Sequence, residues 1–304
     1  MSLKIVTHKT AKLLKLTMNE FIEDNAIKLS ASLAYYTIFA LPPLLIIVLF
    51  ICGIFFGQDA VTGQFFGQIN QFVGNEAAAQ IQNTIKNIEL AESNAFAAIF
   101  GVIMLLIGAS GVFVEIQSSI NFIWGLKAKP NKGIAKFIKN RIMSFSMIAS
   151  VGFLLLVALI INTTLDLLNE RLVLHFPEAT VYVFYIVNII ALFLITTLLF
   201  AIIFKTLPDG EIGYTDTFIG SGFTALLFML GKFAIGYYLG ASTIATVYDA
   251  AGSVIIILIW VYYCAIILYF GAEFTKMYSR IYGKRIIPNE YAVKIQKEIL
   301  EINE

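Results

Sequence analysis

Charged and helix-breaking residues set inside apolar runs are where this sequence could do chemistry. Lys232 lies within the otherwise uncharged stretch 217–239, Glu273 follows directly on the stretch 250–272, and Asp24 and Glu115 stand at the edges of two others. A charge in hydrocarbon is expensive, so it is paired, hydrated or put to use. The segment "LAYYTIFALPPLL", residues 33–45, adds Tyr35 and Tyr36 ahead of Pro42 and Pro43. A helical proline lacks an N–H, and its ring pushes away the carbonyl four residues earlier. The carbonyls of Ile38 and Phe39 then need partners in protein or water. The proline pair is either a kink that shapes packing or a broken helix beside a polar cavity, as in transporters. Adjacent residues point about 100° apart on a helix, so one tyrosine faces the interior and the other packs elsewhere.

Depth narrows the partners of Lys232. It sits roughly 22 Å from the inner end of its run and about 9 Å from the outer end. It either snorkels outward or faces the bundle as a functional cation. Asp166 and Asp249, near outer ends, match its depth, as do the proline-freed carbonyls; Glu273, at an inner end, does not. Asp24, Glu115 and Glu273 share the inner level with Arg141 and Lys205. They read as structural ion pairs or as an inner gate or coupling site.

Much other chemistry is excluded. His8 and His175 are too few and too far apart for a histidine metal centre. The sequence has no Gly-x-x-x-x-Gly-Lys loop for ATP. "GASG" at 108–111 and "GSG" at 220–222 lack the nucleophile-elbow spacing. Cys52 and Cys264, far apart in apolar runs, read as buried free thiols. A net charge of +1 offers no basic excess for nucleic acid. The expectation is a non-enzyme with no metal and no cofactor.

The elements that must hold these residues follow from hydropathy. The 304 residues are 59% hydrophobic and 13% charged, with mean hydropathy +0.83. Six runs have near-spanning length, at about 29–56, 95–114, 142–165, 179–204, 217–239 and 250–272. With a cytoplasmic N-terminus, the outer side holds Lys86 and Arg171 alone of the 21 lysines and arginines, and Lys232 lies within a span. Such a split fixes orientation and places both termini inside. Residues 1–28 read as an interfacial helix, with Leu14, Met18 and Phe21 on one face and Lys9, Lys12 and Lys15 on the other. The outer loop 57–94 has the spacing of two short amphipathic helices, and 273–304 form a cytoplasmic tail. Trp124 suits a membrane interface, and Gly236 with Gly240 suits close helix packing. The fold expected is all-α: one membrane domain of six transmembrane helices.

Four motifs carry a family resemblance. They are "DNAIKLSASLAYYTIFALPPLL", "INFIWGLKAKP", "LPDGEIGYTDTFIGSGFTALLF", and "KFAIGYY" followed by Tyr248 and "GSVIIILIWVYYCAIILYFGAEF". In this order, over nearly the whole chain, they resemble the YihY/BrkB family of bacterial inner-membrane proteins. Asp249 departs from the pattern, where glycine usually follows the tyrosine. The resemblance implies six helices with both ends cytoplasmic. It also brings an old ribonuclease BN label, which the missing His-x-His-x-Asp-His cluster argues against.

The function expected is an inner-membrane transporter or exporter of a small solute, ion or lipid. The alternative is a non-transporting structural or envelope-assembly protein. Tyr35, Tyr36, Pro42, Pro43, Asn121, Lys232 and Glu273 are the expected cavity or transport residues, with Asp24, Glu115, Asp166 and Asp249 as charge partners. The partners expected are membrane lipids and the cargo; a homo-oligomer is left open.

Overall fold

A computed structural model describes residues 3–40, 111–129, 177–241 and 252–295. The expected loop 57–94, the span 142–165 and nearly all of 95–114 lie outside the described residues, as do Pro42, Pro43, Asp166 and Asp249. Six elements of helix are described: α1 (Leu3–Glu23), α2 (26–40), α3 (111–123), α4 (Pro177–Thr206), α5 (Tyr214–Ala241) and α6 (Gly252–Ile281). Three of these contain stretches long and apolar enough to cross a membrane: Ile186–Thr206, Tyr214–Tyr238 and Val254–Ile281. They correspond to the fourth, fifth and sixth runs of the sequence.

Local chemistry sets the element ends. Pro177 occupies the first helical position of α4, where its missing N–H costs nothing. Asn25, at φ 51°, is the left-handed residue that ends α1 and redirects the chain into α2. Gly125, at φ 66°, does the same after α3. Asp216 lies in the first turn of α5, and its Oδ2 accepts the Lys284 backbone N–H at 3.0 Å, tying the exit of α6 to the start of α5.

The helices pack α4 on α5, α5 on α6 and α1 on α6. Where α5 crosses α6, two short motifs face each other. Gly220 and Thr224 on α5 oppose Gly271 and Thr275 on α6. A methyl group added to Gly220 would land on the Thr275 side chain, and one added to Gly271 would land on Thr224. Each threonine also donates to its own helix, Thr224 Oγ1 to Gly220 O and Thr275 Oγ1 to Gly271 O, both at 2.7 Å. The hydroxyls are thereby satisfied without water. Lipid gives two apolar helices no hydrophobic reason to associate, so close backbone approach at small residues supplies the contact. At the expected Gly236, nothing among the described residues lies within 4 Å of its would-be Cβ.

Three further findings go beyond the sequence reading. The fold is mostly helical but not purely so. β1 (Leu126–Ala128) pairs antiparallel with β4 (Ala292–Lys294), and β2 (Gly210–Glu211) pairs antiparallel with β3 (Ile287–Pro288). Two- and three-residue strands carry no readable alternation, so the sequence hid them. Second, α6 continues past Ala272 to Ile281, because its charges there find partners in the bundle. Third, Trp124 is buried, and its Nε1–H donates to Ala272 O at 3.1 Å, so it packs α3 against α6. Both ribbons and Trp124 lie at one end of the bundle, together with Lys127, Lys129, Lys205, Lys276, Arg280 and Lys294. We call it the basic end.

Candidate functional site

The sharpest constellation is where α1 meets α6. Leu13 and Phe21 are buried on one stripe of α1; Leu13 packs with Phe274 and Met277, and Phe21 meets Phe270 edge-on, ring centroids 5.5 Å apart. That stripe also carries Glu20, and Asp24, one residue past the end of α1, continues it, its N–H bonded to Glu20 O at 2.8 Å. On α6, Glu273 and Lys276 stand three apart and face them. Lys276 Nζ lies 2.6 Å from Glu20 Oε2, 3.1 Å from Glu273 Oε2 and 3.3 Å from Asp24 Oδ2. Arg280 approaches Glu20 at 3.8 Å from the open side. Glu273 is completely buried.

A second polar knot lies close by in the fold. Asp209, in the "LPDG" turn between α4 and α5, is buried and held by α3. Asn121 Nδ2 donates to Asp209 Oδ2 at 2.9 Å, and Asp209 N–H donates back to Asn121 Oδ1 at 2.8 Å. Gln117 Nε2, one turn earlier, reaches Asp209 Oδ1 at 3.4 Å. Asn289 N–H, next to β3, takes Asp209 O at 3.0 Å. The pattern is a reciprocal side-chain–backbone fork that fixes the α4–α5 turn on α3. An Asn121→Ala protein should lose about 1–3 kcal/mol, because the buried Asp209 carboxylate and N–H each lose a hydrogen bond. Thermal unfolding in detergent reads this directly; an unchanged midpoint would contradict the fork.

Between α2, α4, α5 and α6 lies a partly open cavity of about 240 Å³. Its wall is almost all carbon. α4 contributes Thr196, Leu199, Phe200 and Ile203, and α6 contributes Val261, Cys264, Ala265 and Leu268. Both sets follow the i, i+3, i+4, i+7 spacing of one helix face. Leu33 and Phe228 complete the wall. Cys264 is a free thiol.

The expected site residues are therefore dispersed. Asp24 and Glu273 come together, with Glu20 and Lys276 as unforeseen members. Asn121 is in the fork. Tyr35 and Tyr36 are 61% and 44% exposed, Tyr36 lying against Gly111 and Tyr35 against Phe39. Glu115 accepts a hydrogen bond from Ser119 at 3.5 Å. Lys232 is half-buried, its Nζ 5.5 Å from the Phe233 ring centroid. Lys205 donates to Ile212 O and lies over the Tyr214 ring at 4.3 Å. Sequence could have flagged Glu20 through its Glu-x-x-x-Asp spacing, and Lys276 through Glu-x-x-Lys, but not that the two pairs meet.

Comparison with known proteins gives a consistent result. The family profile described as "Virulence factor BrkB" matches residues 17–293. A UPF0761 membrane protein of Saccharophagus degradans is 27% identical over 84% of this chain and 57% of its own length. One of Teredinibacter turnerae is 26% identical over 88% and 60%, and one of Pseudomonas paraeruginosa 25% over 89% and 64%. The chain thus spans about three-fifths of the length of these curated relatives. No solved structure matches it.

Proposed function

From the premise that this chain belongs to the virulence factor BrkB family of membrane proteins, we propose that it is a transporter or exporter of a small solute, an ion or a lipid, with lipid the cargo its geometry suits best. The observation behind this is the carbon-lined cavity among membrane-crossing helices. An apolar cavity of roughly 150 Å³ stays dry and takes up benzene in other proteins. This one is larger, at about 240 Å³, and is partly open, so a hydrocarbon chain is its natural occupant. In this reading the protein is a six-span protein of the bacterial inner membrane with its basic end cytoplasmic, and it is no enzyme. The outward stripe Leu14, Met18 and Ile22 of α1 then rests on the inner leaflet, flanked by Lys12 and Lys15.

The test is reconstitution in phospholipid vesicles carrying a fluorescent lipid, with dithionite quenching of the outer leaflet. Protein-containing vesicles should lose more than half their fluorescence; protein-free vesicles should lose only the outer half. Ala265→Phe, which fills the cavity from α6, should slow exchange by about an order of magnitude. Equal quenching with and without protein would remove the lipid reading. Ion or solute flux in the same vesicles would then keep the broader one. The dry wall equally fits a structural or envelope-assembly protein, and an absence of both fluxes would favour that reading.

A further inference from the structure

The α1–α6 cluster has one carboxylate too many for its cations. Glu20, Asp24 and Glu273 surround Lys276, and Arg280 adds one exposed positive charge beside Glu20. The oxygen atoms these three acids offer lie within 4.8 Å of one another. Such an arrangement could hold a metal ion, but the position is filled: the Lys276 ammonium stands within 3.3 Å of all three. The decisive atom is Glu273 Oε1. It is buried, its residue has no exposed surface, and among the described residues no group donates to it. A bare carboxylate oxygen there would be both desolvated and unsatisfied. A protonated one carries no charge to desolvate, and its O–H becomes a donor with the Asp24 carboxylate close at hand.

We propose that Glu273 and Asp24 form a proton-binding site, holding one proton between them and exchanging it with water at the basic end. On uptake, a hydronium ion gives its proton to Glu273, an O–H bond forms at Oε1, and water leaves. Release reverses this. With the proton in place, Glu20 and Asp24 balance Lys276 and Arg280; without it, the cluster carries one net negative charge. Glu20, partly exposed, connects the site to water. Among the described residues, the charged groups around Glu273 are Glu20 of α1, Asp24 just past its end and Lys276 of α6, while Arg280 touches the cluster through Glu20. Glu115 of α3 is engaged by Ser119 and lies nearer Tyr269, one turn earlier on α6. Like carboxyls this close titrate as a pair, so the proton belongs to the site and not to one residue. The site is independent of the lipid reading, because its test needs no cargo.

The experiment is infrared spectroscopy of the full chain in lipid. The wild type should show a carboxylic-acid C=O band near neutral pH. That band should shift in D2O and fade as pH rises. Glu273→Gln should remove it, and Asp24→Asn, which changes the hydrogen-bond partner, should move its frequency. A wild type without such a band overturns the proposal, as does a band unchanged in both variants. If Glu273→Gln fails to fold, the wild-type titration and Asp24→Asn still decide. Calorimetry with calcium or magnesium is the counter-test. One-to-one binding lost in Asp24→Asn would overturn the proton site in favour of a metal.

Discussion

Gly271→Ala should destabilise this protein, although alanine is ordinarily the better helix former by about 0.5–1 kcal/mol. The new methyl would land on Thr224, whose own Cβ stands in the way, and the mirror contact at Gly220 and Thr275 leaves α5 no room to slide. We expect a loss of about 1–3 kcal/mol, the range for overpacking a close contact. Gly271→Leu should yield no folded protein. The diagnostic variant is the double one. Thr224→Gly empties the notch, so Gly271→Ala in that background should cost nothing or stabilise. Residues in such contact couple by about 0.5–3 kcal/mol. Thermal unfolding of the four proteins in detergent gives the coupling energy; simple additivity would show that the two residues do not touch.

Lys276→Met should be costlier still. Methionine matches the length of lysine and leaves three buried or half-buried carboxyls confronting one another. Removing one partner of a buried ion pair costs about 3–5 kcal/mol, chiefly because the other is stranded. The loss should shrink if Glu273→Gln or Asp24→Asn is combined with it, and it should shrink at acid pH as the acids gain protons. Arg280→Met, by contrast, should change stability little, since that side chain is 63% exposed. Urea or thermal unfolding at two pH values separates these. A Lys276→Met protein as stable as wild type at neutral pH would mean that α1 is not held by this cluster.

The legible part of the fold was the part with a long-range pattern. Runs 179–204 and 217–239 fall on α4 and α5 because hydrocarbon of that length, broken only by Lys232, is sufficient to span a membrane as helix. The length of α6 beyond its apolar run is not legible in that pattern. Glu273, Lys276 and Arg280 look like the start of a tail until their partners on α1 are seen. Trp124 carries an interface signature, yet Ala272 O captures it. The glycine pair at 236 and 240 has a dimer-like spacing, while the working glycines, Gly220 and Gly271, lie on different helices and are coupled only by threonines across the gap. Single-sequence spacing reports which residues share a face, not which faces meet. Asp209 illustrates the limit: as part of Pro-Asp-Gly it reads as a turn former, and its carboxylate is also the anchor for Asn121.

The pairing of α1 with α6 has a consequence in time. Lys276 is 256 residues downstream of Glu20. A ribosome adding roughly 5–20 residues per second delivers the lysine some ten to fifty seconds after the acids. The strand partners wait as well, since β1 and β2 are made before β3 and β4. Through that interval the first helix must endure with its acidic side uncovered. The lysines on its flank, and the stripe of Leu14, Met18 and Ile22, give it somewhere to rest meanwhile. Translation therefore makes the α1–α6 contact late: α6 arrives, α1 docks on it, and the two ribbons zip behind it.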